Sequence, residues 1–156
     1  MSGIPTVGSG PSGRRDVDGD AGSLSFSARH IDGTTVLRHD PEYGLTELEV
    51  EGEILLVGQQ QAPGQSRRLR IPARDVSVCR QRPLDSSILN ILPVTLTQLE
   101  ADGEARVMLR LALGAQYLLA RITRKSASRL QLQVGDRLFA QIKSAALLME
   151  SADQHE

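Results

Sequence analysis

The 156-residue chain is poor in several things at once. Its single cysteine, Cys79, excludes a disulfide framework within one chain and a cysteine-rich zinc site. No apolar run approaches the roughly 18–20 residues that a membrane span needs, and no basic-then-apolar leader opens the sequence. A cytoplasmic location without direct membrane insertion is therefore expected. The net charge of −1 removes any bulk electrostatic attraction to nucleic acid or lipid surfaces. Aromatic residues make up 3% of the chain (Phe26, Tyr43, Tyr117 and Phe139), so the core must be aliphatic. Lysine is scarce too: Lys125 and Lys143 stand against sixteen arginines.

Catalytic and metal signatures are also missing. The glycine-rich stretch Gly8 to Arg15 has the glycine spacing of a phosphate-binding loop but lacks its lysine and following hydroxyl. His30, His39 and His155 lack metal-ligand spacing, and Asp16, Asp18 and Asp20 are not followed by a glutamate at calcium-loop spacing. Cys79 has no histidine nearby in sequence to activate it. No acid–base pair emerges, and an enzyme is not expected.

What is present reads as β structure. Val107, Leu109, Leu111 and Leu113 alternate with Met108, Arg110 and Ala112, the period of a strand with one buried face. Leu48 and Val50 alternate with Glu47 and Glu49 in the same way. Glycine turns recur between such segments, which favours small barrels over a layered α/β fold. Residues 123–130 interrupt the pattern with helix formers behind a threonine able to cap the first turn, predicting a short helix. A faint duplication aligns Gly64 through Val76 with Gly135 through Ala145, and places Arg74 opposite Lys143. The expected organisation is all-β with a short helix. A flexible tail spans residues 1–22, one OB-like barrel 23–80, a second 81–150, and a frayed end 151–156.

Three segments of the second half share one chemical character: residues 86–90 (SSILN), 123–126 (TRKS) and 143–144 (KS). Hydroxyls, an amide and an ammonium are donors that suit a compact oxyanion. Thr123 opens the expected helix, whose free N–H groups also favour an anion. Each piece taken alone equally fits a helix cap or a strand end.

The same segments, with Arg70 to Val78 (RIPARDVSV), Asp85 to Pro93 (DSSILNILP), Leu118 to Ser126 (LLARITRKS) and Ala140 to Ser144 (AQIKS), resemble a known domain. It is the molybdate-binding domain of molbindins, of molybdate-responsive regulators and of the C-terminal part of the molybdate ABC transporter's ATPase subunit. Order and spacing look most like the transporter branch, from about Gly22 to Leu148. The resemblance implies a pair of OB-like β-barrels of the transport-associated (TOBE, Mop-like) type. It also implies a homodimer that holds molybdate or tungstate at subunit contacts, with no metal ligated directly by side chains. Carried over by motif, Thr123, Ser126, Lys143 and Ser144 match ligand positions on one side of the site. Ser87 and Asn90 match the ends of the family's Ser-Ala-Arg-Asn element on the other, while Leu89 stands where that element has arginine.

The function implied is sensing of intracellular oxyanion by a regulatory domain. Its partners would be a second copy, the transporter ATPase domain and, through it, the membrane permease. No ATP site is expected, because the phosphate-binding loop and signature motif are missing. The alternatives are a ligand-free dimerisation or docking module and a stand-alone molbindin-like protein. Nucleic-acid binding, common among OB-like barrels, normally needs aromatic stacking along a basic groove, which this composition does not supply. The first barrel, with Arg74 and Asp75 opposite the Lys-Ser pair, is expected to be structural.

Overall fold

The structure is a computed structural model, and it describes residues 28–64 and 66–151. The tail expected over 1–22 and the polar end beyond Ser151 lie outside the described residues. Among the described residues ten strands follow in order. They are β1 (Ala28–Asp40), β2 (Leu45–Val50), β3 (Glu53–Val57), β4 (Ser66–Pro72), β5 (Val76–Cys79), β6 (Asn90–Asp102), β7 (Arg106–Leu113), β8 (Gln116–Thr123), β9 (Arg137–Ile142) and β10 (Leu148–Ser151). Among the described residues one α-helix, α1 (Arg124–Leu130), follows β8, and 3-10 turns at Ala73–Asp75 and Ser144–Ala146 precede β5 and β10. The all-β expectation holds, and the alternating segments fall in β2 and β7 with their aliphatic faces buried.

The strands form two five-stranded antiparallel sheets, ordered β10-β4-β1-β2-β3 and β5-β9-β6-β7-β8. Hydrogen bonding therefore crosses the division expected between residues 80 and 81. β5, from the first half, completes the second sheet beside β9; β10, from the second half, completes the first beside β4. In each case the 3-10 turn carries the chain across. One continuous aliphatic core, from Ile31 to Met149, fills both sheets.

The duplication is visible in the backbone. β1 and β6 are both 13 residues long, and each shifts register against the strand that follows it, near Val36 and near Leu96. There the carbonyls of Val36 and Leu96 each accept a 2.7 Å bond from a glycine N–H, Gly64 and Gly135. Both glycines have positive φ, 85° and 100°, where a Cβ would be strained. Pairing Gly64 with Gly135 puts Pro72 opposite Lys143, and these two residues open their 3-10 turns with matching dihedrals (φ −67, ψ 134 and φ −70, ψ 142). The alignment of Arg74 with Lys143 is thus corrected by two positions. The Arg-Leu pairs at 68–69 and 137–138 resemble each other but sit at different steps along their strands.

Several side chains clasp the two sheets together. On the β2–β3 turn, Glu51 accepts the Ala115 N–H at 2.9 Å with Oε1. Gly114 has φ +58, and a Cβ there would lie 2.3 Å from that same oxygen. Gly114→Ala is expected to cost about 2 kcal/mol, combining backbone strain with loss of this bond, and to lower the Tm in thermal denaturation. Arg29 of β1 reaches β8, stacking on Tyr117 at 4.0 Å while Arg110 stacks on the same ring at 3.8 Å. Two planar guanidinium groups cannot share one face at such distances, so both faces of the ring are covered. A scarce aromatic thus serves as an inter-sheet joint.

The segment leaving β5 is anchored by Arg80. It donates to the carbonyls of Leu130 and Gln131 at the end of α1 and to Asp136 Oδ2 at 2.9 Å. These carbonyls have no partners within the helix, so Arg80 supplies their cap. Burial works to raise the Asp136 pKa. The Gln133 N–H, the Arg80 hydrogen bond and the Arg80 charge outweigh it, holding the carboxyl below its ordinary value. Because the folded pKa is depressed, the stabilisation is complete above the unfolded value, about 3.9, and disappears as pH falls through the folded one. Urea midpoints measured from pH 6 to pH 2 should fall more steeply for the native chain than for Asp136→Asn.

Candidate functional site

Asn90 opens β6, opposite Ile142 of β9, so it lies beside the Lys143-Ser144 pair. It is 1% exposed, and its amide is engaged within the chain. Oδ1 accepts the Leu56 N–H at 2.8 Å, and Nδ2 donates to the Leu56 carbonyl at 2.9 Å. β3 is the edge of the first sheet, and the Asn90 amide takes the place of a missing neighbouring strand there. A longer contact of 3.5 Å runs from Nδ2 to Ser144 Oγ. Lys143 precedes the 3-10 turn in extended conformation and is exposed. No ion pair among the described residues involves it.

Thr123 and Ser126 lie at the start of α1. The Thr123 side chain caps the helix as expected, accepting the Ser126 N–H at 3.0 Å, and its hydroxyl donates to Ser126 Oγ at 2.9 Å. Thr123 thus holds the Ser126 hydroxyl within hydrogen-bonding distance at the start of the helix. Ser126 lines an open pocket of about 350 Å³ with Ser77 and Val78 of β5, Ile122 of β8, and Arg129 and Leu130 of α1. Arg129 has no acidic partner among the described residues. The sequence reading missed it, although its i+3 spacing from Ser126 puts both on one helical face.

The six expected site residues therefore fall into three places. Asn90, Lys143 and Ser144 are together; Thr123 and Ser126 form a hydroxyl pair at α1; Ser87 is exposed on the segment before β6. No hydrogen bond among the described residues joins the three groups. In that segment it is Ser86, not Ser87, that accepts a backbone bond, from the Ile88 N–H at 3.0 Å. Leu89, in place of the family's arginine, is 57% exposed, and Leu84 is 89% exposed. The chemistry on offer is one-sided. Two hydroxyls and two cations present donors, and among the described residues no carboxylate bonds to any of them. Such a donor set fits a compact, fully deprotonated oxyanion. Among the described residues, no group of three His, Cys, Asp or Glu could hold a metal ion, and no helix is long and apolar enough to cross a membrane.

Two curled five-stranded sheets with one short helix among the described residues give an OB-like architecture, and residues 86–149 match the TOBE domain. The chain is similar to the C-terminal region of ModC, the molybdenum import ATP-binding protein. It is 47% identical over 117 residues to ModC 1 of Azotobacter vinelandii, covering 74% of this chain and 32% of that protein. With ModC of Pseudomonas aeruginosa it shares 45% over 136 residues, 85% of this chain and 36% of the relative. ModC 2 of Azotobacter vinelandii matches at 43% over 151 residues, 92% of this chain and 41% of the relative. The chain thus spans about a third of the length of the relatives it matches. The fold matches a crystal structure of the cytoplasmic molybdate-binding protein ModG with molybdate bound. The TM-score is 0.68 with 21% identity, over 82% of this chain and 99% of that one.

Proposed function

We propose that the chain is an oxyanion-binding regulatory module, taking molybdate or tungstate and responding to its intracellular concentration. The observation that carries this reading is Lys143, without a counter-ion among the described residues, next in sequence to a Ser144 hydroxyl in contact with Asn90. The ligand would be held by Ser126, Lys143 and Ser144, with Thr123 setting the Ser126 hydroxyl. Ser87 would form the opposite wall, while Asn90, in contact with Ser144, stands on the Lys143 side. Among the described residues no hydrogen bond joins Ser87 to the helix pair, and the exposed apolar residues Leu84 and Leu89 flank it in sequence. A homodimer that buries these leucines and brings Ser87 of one copy to the donors of the other would complete the site. The similarity to ModC supports a role beside a transporter ATPase and its permease, restraining uptake when the oxyanion is abundant.

Isothermal titration with molybdate, tungstate and sulfate, alongside light scattering, tests the reading. Saturable heat and a higher Tm with molybdate are expected, because a ligand that binds only the folded dimer stabilises it by mass action. Absence of both would refute it. The apolar Leu89 favours a second reading, a docking module without ligand. Dimerisation with no response to any oxyanion would be its signature.

A further inference from the structure

Two surfaces of the chain are complementary, yet they do not occupy one another within a single copy. The first is the open pocket of about 350 Å³ beside α1. Val78, Ile122 and Leu130 give it apolar, half-buried walls that pack on the core beneath. Arg129 lines it as well, exposed and without an ion pair among the described residues. α1 as a whole carries Arg124, Lys125 and Arg129 and no carboxylate. The second surface is the segment before β6. Between Pro83 and Pro93 the only charge is Asp85, which is exposed and also lacks an ion pair among the described residues. It follows Leu84, 89% exposed, and neither residue lines the pocket of its own chain. A lone exposed leucine is ordinary. A leucine joined to an unpaired acid, on a chain that also holds an apolar pocket beside an unpaired arginine, makes a matched pair.

We propose that the pocket beside α1 is a socket for a second copy of this chain: Leu84 of that copy enters it, and Asp85 of that copy pairs with Arg129. This rests on the homodimeric reading above and supplies the contact it lacks. In a two-fold dimer each such contact is made twice. The net charge of −1 sets no bulk repulsion between the copies. An apolar side chain in a pocket with a charge pair at its edge is the usual make-up of an interface anchor, and arginine is favoured there. Arg129 is thereby given to the partner and not to the oxyanion. Spacing links the two roles of the segment. Two residues of chain, Asp85 to Ser87, reach at most about 7 Å, and Ser126 and Arg129 lie within one helical turn of about 5.4 Å. Seating Asp85 on Arg129 therefore brings Ser87 within reach of Ser126.

Sedimentation equilibrium on the full chain, without oxyanion and again with saturating molybdate, tests the contact. The native chain should be a dimer. Arg129→Asp and Asp85→Arg each set like charges together in both contacts, and each should raise the dimer dissociation constant by about 100-fold. Combining them exchanges the two charges and should restore the constant to within about tenfold of the native one, which a mere change of surface charge would not do. Leu84→Ala should weaken the dimer by about tenfold through lost apolar burial. All three residues are exposed, so circular dichroism of each variant should stay native. Native-like dimers from both single reversals, or a double variant no tighter than the singles, would mean that another occupant covers the pocket and would overturn the proposal. If a reversal fails to fold, Leu84→Ala decides: an unweakened dimer overturns it. A native chain that stays monomeric in both conditions refutes the homodimer and this inference with it. A dimer that gives no molybdate heat refutes the oxyanion reading and leaves the contact standing.

Discussion

Lys143→Ala is expected to weaken molybdate binding by about 100-fold, the equivalent of one charge-assisted hydrogen bond of nearly 3 kcal/mol. The side chain is exposed and makes no ion pair among the described residues, so its removal should leave the Tm of the ligand-free protein within about 1 °C. A dianion leaving water needs compensating charge, and no arginine stands at position 89 to share the task. Lys125→Ala serves as the control. Lys125 lies exposed on α1 and is absent from the pocket beside Ser126, so titration should give the native affinity. Equal losses for the two lysines would reduce the effect to net charge and remove Lys143 from the site.

Asn90→Ala is expected to have the largest effect on stability. It deletes two good hydrogen bonds from a fully buried amide and leaves the Leu56 N–H and carbonyl facing a cavity. Each unsatisfied buried group costs roughly 1–3 kcal/mol, so a total of about 3 kcal/mol and a Tm lower by about 6–12 °C are expected. Both sheets should feel it, because Asn90 belongs to β6 and Leu56 to β3. Ser87→Ala, three residues earlier and exposed, should leave the Tm unchanged. An Asn90→Ala variant as stable as the native chain would mean that water replaces the amide at the β3 edge.

Local pattern made much of this legible before any coordinates. The alternation in β2 and β7 follows from one buried face, and Thr123 capped α1 where a hydroxyl before helix formers should. Long-range pairing was not legible. Nothing in Val76 to Cys79 says that it bonds to β9 and not to a strand of its own half, since an edge strand reads the same beside either partner. The Arg80 cap on α1 and the Glu51 clasp on Ala115 join residues far apart in sequence, and each looks like an ordinary surface charge. For the site, the residue types carried the signal and the roles did not. Asn90 is as suited to a strand edge as to a ligand, and only the position of Leu56 distinguishes them. Thr123, too, is committed to the helix and to Ser126.

The exchange of β5 and β10 gives the chain a mechanical property that neither sheet would have alone. Each sheet is closed by a strand whose covalent attachment lies in the other, like two hands each holding the other's wrist. Unfolding one sheet strips an edge from its neighbour, so the two should melt in a single cooperative step. Severing the backbone near Leu84 would leave each piece holding a strand of the other, whereas a chain ending at Ile142 would uncover the β4 edge. Ser144, where the second crossing begins, thus stands four residues before the strand that closes the first sheet.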